Sequence, residues 1–156
     1  NLERMSSDII ISNIPYNIST KIIYKLLKFK NNYEEIILMV QKEVAEKMNY
    51  NINIKNNKLN FFIEATSKFC IKFHVPKHVF FPKPKIESTV ISIKPIKTNL
   101  DKVNLEIFST KIFSLKRKKL SNIIKITDPD LNTKKLLNER AEDLSTKNLL
   151  LLFEKF

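Results

Sequence analysis

None of the 156 residues is glycine. A chain of this length usually carries roughly ten, at an average share of ~7%. Glycine supplies positive φ without a steric penalty and lets the backbone approach a phosphate or cofactor closely. Its absence excludes a P-loop and a complete Rossmann dinucleotide fingerprint. A nucleotide site on these residues therefore has to be completed elsewhere. What remains is a globular composition, with 43% hydrophobic, 28% charged and 10% aromatic residues. That is enough apolar side chain for a core and argues against wholesale disorder. The length suits one ordinary domain, or a partial domain followed by a small second one.

The periodicities alternate between strand and helix. Asp8 to Ser12 carries Ile9, Ile10 and Ile11, apolar on both faces, as expected of a buried parallel strand. It stops at a turn containing Pro15. From Ser19 or Thr20, either of which can cap a helix start, Ile22, Ile23, Leu26, Leu27 and Phe29 recur at helical spacing. Glu35 to Gln41 reads as a second strand and Lys42 to Met48 as a second helix, so the alternation predicts a mainly parallel sheet. Tyr50 to Lys58 is polar and reads as a loop, Leu59 to Ser67 as a helix, and Lys68 to Val75 and Ser88 to Ile96 as alternating strands around a stretch held extended by Pro76, Pro82 and Pro84. Beyond a linker at Pro95 to Lys102, helices are expected at Val103 to Leu115, Arg117 to Lys125, Asn132 to Asn138 and Ser145 to Phe153. We expect two domains, 1–97 and 98–156: the second half of an α/β sheet, then a small all-helical domain.

The formal net charge is +12, with 28 Lys and Arg against 16 Asp and Glu. This favours polyanionic partners such as nucleic acid or a ribosome surface, although a solvated lysine-rich surface accounts for the charge as well. Cys70, His74 and His78 cannot build a cysteine framework or a three-ligand metal cluster unaided, and they are assigned to packing or surface roles with no metal. No apolar run approaches the ~20 residues of a membrane span, and no leader opens the chain. The expected location is cytoplasmic, without a membrane.

Asn13-Ile14-Pro15-Tyr16 follows the first strand at its C-terminal end, where open α/β sheets place their ligands. An aromatic amino group is a poor nucleophile until its conjugation with the ring is loosened. An Asn side-chain carbonyl and a nearby backbone carbonyl can accept both N–H groups and favour a pyramidal nitrogen. A proline presets φ. An aromatic can stack on a base splayed into the cleft. An ordinary Asn-Pro turn would have the same four residues. Phe80, in a Pro-rich segment, suits stacking or plain packing, with Phe81 beside it. Gln41, Lys42 and Glu43 suit a site at a strand end or a capped helix start. Lys116, Arg117, Lys118 and Lys119 are the densest basic cluster, suited to RNA phosphates or to solvent.

Three blocks taken together decide among these. Asn13-Ile14-Pro15-Tyr16-Asn17-Ile18-Ser19-Thr20, Gln41-Lys42-Glu43-Val44-Ala45-Glu46-Lys47-Met48 and Phe80-x-Pro82-x-Pro84-Lys85-Ile86-x-Ser88-x-Val90 resemble the rRNA adenine N6,N6-dimethyltransferases in content, order and spacing. The Gln-Lys-Glu-Val-Ala segment, Phe113-x-x-Lys116-Arg117-Lys118-x-Leu120-x-Asn122 and Arg140-Ala141-Glu142-Asp143-Leu144-Ser145 resemble the small-subunit branch rather than the erythromycin-resistance enzymes of the large subunit. Lys116 stands where the family usually has Arg, which bears on a bidentate phosphate contact there.

The resemblance implies a Rossmann-like methyltransferase sheet using S-adenosylmethionine, followed by a helical rRNA-binding domain. It implies dimethylation of two adjacent adenosines in the hairpin loop near the 3′ end of small-subunit (16S) rRNA, within ribosome biogenesis. Asn13, Pro15 and Tyr16 become the catalytic pocket for the adenine amino group, Tyr16 and Phe80 the stacking aromatics, and Lys116 to Lys119 the RNA contact. Asn13 is also the one cofactor contact these residues supply, because the family's glycine-rich loop and acidic cofactor ligands have no counterpart here. A chain truncated at its N-terminus and inactive alone is therefore expected, monomeric when complete, with a large-subunit rRNA adenine methyltransferase of the erythromycin-resistance type or a non-catalytic ribosome-binding fragment as the alternatives.

Overall fold

The computed structural model describes residues 9–28, 33–49 and 55–156. These form two compact units, one drawn from residues 1–49 and 66–99, the other from 50–65 and 100–156.

The first unit is a four-stranded sheet with strand order β1-β2-β4-β3. Its elements are β1 (Ile9–Asn13), α1 (Ser19–Lys28), β2 (Glu35–Gln41), α2 (Lys42–Met48), β3 (Ser67–Val75) and β4 (Ser88–Pro95). Residues 36, 38 and 40 of β2 and 91 and 93 of β4 share one face, and Ile36, Leu38, Val40, Ile91 and Ile93 are all buried. α1 adds Ile23, Leu26 and Leu27 to the core, which fits the spacing of its apolar residues. Ser19 opens α1, and its hydroxyl donates to the Tyr16 carbonyl at 3.1 Å.

Two expectations are corrected. The sheet is not mainly parallel among the described residues: β1 pairs with β2 in parallel, whereas β4 is antiparallel to both β2 and β3. The cause is the connection between β3 and β4, which is a proline-bearing turn and contains no crossover helix. Without a crossover helix to carry it to the far end of the sheet, the chain returns antiparallel to β3. β1 also lacks the burial of a central strand, since it lies at the edge of this sheet and Ile11 is 76% exposed.

The second unit contains α3 (Lys58–Thr66), α4 (Lys102–Ile112), α5 (Leu131–Leu137) and α6 (Thr146–Phe153). Much of the loop expected at Tyr50 to Lys58 lies outside the described residues. Phe108 is the centre of an aromatic core, with ring centroids 6.3 Å from Phe61, 5.4 Å from Phe153 and 5.2 Å from Phe156. Side chains of Asp101, Asp130 and Ser145 accept backbone N–H groups at the starts of α4, α5 and α6.

The helix expected at Arg117 to Lys125 is absent. Residues 113–118 form turns, and only a short 3-10 segment at Leu120–Asn122 follows. The Leu120 N–H is donated to the Glu139 carbonyl at 2.9 Å instead of to a preceding turn of helix. Only Leu120 and Ile124 anchor this stretch in the core, too few apolar positions to hold a helical face.

Candidate functional site

β1 ends at Asn13, whose Cα partner across the ladder is Met39 of β2. The chain then turns. Pro15 has φ −59° and ψ 132°, and its carbonyl accepts the Ile18 N–H at 3.3 Å, closing one 3-10 turn at Tyr16–Ile18. Ile14 points into the core at 6% exposure, while Asn13 and Pro15 face solvent and Tyr16 is half-buried. The turn thus anchors itself by one side chain and displays the residues on either side of it.

The Tyr16 hydroxyl is hydrogen-bonded to the hydroxyl of Ser88, a fully buried residue at the start of β4. That contact joins the β1 turn to the end of the segment carrying Phe80. Together they bound an open cleft of about 370 Å³. Asn13, Ile14, Pro15 and Tyr16 from the β1 turn, Met39 from β2, and Phe80, Phe81, Pro82 and Pro84 from the segment before β4 line it. Asn13, Pro15, Tyr16 and Phe80, named from the sequence, are therefore gathered in one place.

Gln41, Lys42 and Glu43 are not in this cleft. They line a second one of about 360 Å³ with Glu46, Ile86 and Glu87. Lys42 holds Glu87 twice, through its backbone N–H to the Glu87 carbonyl and through its ammonium to the carboxylate, each at 3.0 Å. The hydrogen bond to Lys42 keeps the Glu87 carboxyl below its ordinary range and raises the Lys42 ammonium in turn. Glu43 pairs along its own helix with Lys47 at 2.7 Å. These residues fasten the foot of the Phe80 segment.

Sequence reading missed Met39. Only the ladder register shows it, since nothing in the alternation of β2 distinguishes Met39 from Ile37. Lys116, Arg117, Lys118 and Lys119 are all exposed, on a turn and not on a helix. His74 bonds the Thr89 hydroxyl at 2.9 Å, and Cys70 is a free, exposed thiol. Among the described residues no group of three His, Cys, Asp or Glu could hold a metal, and no helix is long and apolar enough to cross a membrane.

The family model for ribosomal RNA adenine dimethylase matches residues 3–156. The chain belongs to this family. Among curated members of the rRNA adenine dimethylases it is 40% identical over 137 residues to the ribosomal RNA small subunit methyltransferase A of Malacoplasma penetrans, covering 85% of this chain and 49% of the relative. It is 37% identical over 157 residues to the protein of the same name from Mycoplasmopsis synoviae, covering 92% of this chain and 60% of the relative. The chain thus spans about half the length of the curated relatives it matches. A dimethyladenosine transferase from Plasmodium falciparum superposes with a TM-score of 0.77 at 26% identity, over 95% of this chain and 67% of that one. The 23S rRNA methyltransferase ErmE shares the fold, with a TM-score of 0.62 at 15% identity over 99% of this chain and 69% of that one. The architecture is that of a Rossmann-like methyltransferase sheet with a helical unit.

Proposed function

We propose that this chain is the target-base half of an enzyme that dimethylates the N6 amino groups of two adjacent adenosines in the 3′-terminal hairpin loop of small-subunit rRNA. The observation that carries the reading is the cleft that Asn13, Pro15, Tyr16 and Phe80 line together. Family membership and the relatives' names support an adenine of small-subunit rRNA as the substrate.

In this reading the adenine slides between Tyr16 and Phe80, and the apolar side chain of Met39 keeps water from its ring. The Asn13 side-chain carbonyl and the Ile14 backbone carbonyl accept the two N6 hydrogens and favour a pyramidal nitrogen, whose lone pair is then less delocalised into the ring and available to the methyl donor. Ile14, locked in the core, holds its carbonyl in register with Asn13 at no further entropic cost. S-adenosylmethionine, when bound, supplies a methyl group on a sulfonium that is already a good leaving group. Of the cleft residues, Asn13 would be the one to contact that cofactor. No carboxylate lines the cleft to take ribose hydroxyls, and no glycine is present for close backbone approach. The basic turn at Lys116 to Lys119 serves as the docking contact for rRNA phosphates.

The complete gene product, given unmodified small subunits and methyl-labelled S-adenosylmethionine, is expected to yield labelled dimethyladenosine on nuclease digestion. Subunit binding with no dimethyladenosine and no cofactor heat in calorimetry would sink the enzymatic reading in favour of a ribosome-binding role. Asn13→Ala is expected to lower turnover by about 10²- to 10³-fold, the effect of losing one aligned hydrogen-bonding group. RNA affinity should change little. Equal losses in both would make Asn13 structural only.

A further inference from the structure

The segment between β3 and β4 carries more than the cleft uses. Phe80 is half-buried with an extended backbone, φ −102° and ψ 146°. Successive side chains of an extended chain point to opposite sides, and the ring of Phe81 accordingly stands wholly in solvent at the cleft rim. A single exposed phenylalanine is unremarkable. This one borders a base-sized cleft and is set among lysines. Residues 76–86 contain Lys77, Lys83 and Lys85 and no Asp or Glu. All three lysines are exposed. The first acid, Glu87, is already paired with Lys42.

Extruding one base into a cleft removes a stacking partner from its neighbour on the strand. That neighbour exposes a π-face, and an aromatic at the rim of the cleft can cover it. We propose that Phe81 is the stacking platform for the nucleotide next to the target adenosine, while Lys77, Lys83 and Lys85 neutralise the single-stranded phosphates around it. The inference rests on the reading of Asn13, Tyr16 and Phe80 as the target-base cleft. It adds a determinant of the RNA conformation accepted: the strand must be open at two consecutive positions.

The test uses fluorescence anisotropy with two labelled single-stranded RNAs. One is a uridine tract holding two adjacent adenosines; in the other, one adenosine is flanked by abasic sites. Phe81→Ala is expected to weaken binding of the first by about tenfold, within the roughly 5- to 150-fold range of one base–aromatic stack, and to leave the second unchanged. Phe81→Trp should restore the affinity. Phe80→Ala should weaken both RNAs, because both retain the target base. The Lys83→Gln, Lys85→Gln double variant should lower the slope of log affinity against log salt by about 1.4.

Phe81→Ala binding both RNAs as the wild type does, with Phe80→Ala still impaired, overturns this proposal and leaves the cleft reading standing. Phe80→Ala without effect on either RNA overturns the cleft reading itself. Equal loss on both RNAs with Phe81→Ala, or an unchanged salt slope, also counts against the stacking platform. A concentration-dependent dimer in sedimentation that Phe81→Ala abolishes, at unchanged RNA affinity, would assign the ring to a second copy of the chain. Because Phe81 is solvent-exposed, its removal should leave the circular dichroism spectrum as it was.

Discussion

Tyr16 separates two contributions that a single side chain often confounds. Its ring lines the cleft, whereas its hydroxyl faces away to Ser88, whose own hydroxyl is fully buried. Tyr16→Phe keeps the ring and removes the bond. The expected cost is about 1–3 kcal/mol of stability, the penalty for leaving a buried hydroxyl without its partner, read as a shift in the urea midpoint, with RNA affinity unchanged. Tyr16→Ala should lose both. If Tyr16→Phe weakens RNA binding as much as Tyr16→Ala does, the hydroxyl contacts the base and the stacking role is wrong. That Asn13, Pro15, Tyr16 and Phe80 belong together was legible through the blocks that resemble the family, since the residue types alone left an ordinary turn and plain packing open; the structure gathers them in one cleft. Met39 was not, since an apolar residue in an apolar strand comes to line a cleft only through its pairing with Asn13.

At the scale of elements, strands and helices with strong periodicity were legible: β2, α1 and α2 fall where the spacing puts them. Strand direction was not. Alternation within β3 and β4 says which face is buried, but the sense of pairing depends on whether the connection crosses over, and the one between β3 and β4 contains no crossover helix. The lysine-rich stretch after Phe113 misled in another way, because lysine has good helix propensity yet nothing there buries a continuous stripe. The α4 helix shows the contrast. Leu105, Phe108 and Ile112 are buried along one side, at 0%, 0% and 1% exposure. Phe108 touches three other rings, so Phe108→Ala should cost about 3–5 kcal/mol through lost transfer energy and the cavity left behind. Loss of the far-ultraviolet helical signal at a lower denaturant concentration is the measurement. A cost below about 1 kcal/mol, the level of a surface change, would show that the aromatic cluster is not the core of that unit.

For the whole molecule, the glycine count and the net charge of +12 narrowed the possibilities without locating anything. Location came from the sheet. Its helix-covered face is closed, yet β1 is the edge strand of the described sheet, and Ile9 and Ile11 on its open face are 47% and 76% exposed. An apolar edge strand invites pairing with another chain, and natural sheets discourage it with an inward or edge lysine. Charge opposes association here only at long range, because repulsion among dispersed lysines is screened beyond about 8 Å at physiological salt. Edge pairing acts at contact distance, so it should dominate as salt rises. The 156-residue chain is therefore expected to associate with increasing concentration, more strongly at 0.5 M than at 0.05 M salt, values chosen on the order of the screening range. Ile11→Lys should suppress this in light scattering while leaving the fold intact, since the side chain it replaces is already in solvent. Association that is unchanged by Ile11→Lys, or that weakens with salt, would place the sticky surface elsewhere and return the edge strand to an inert role.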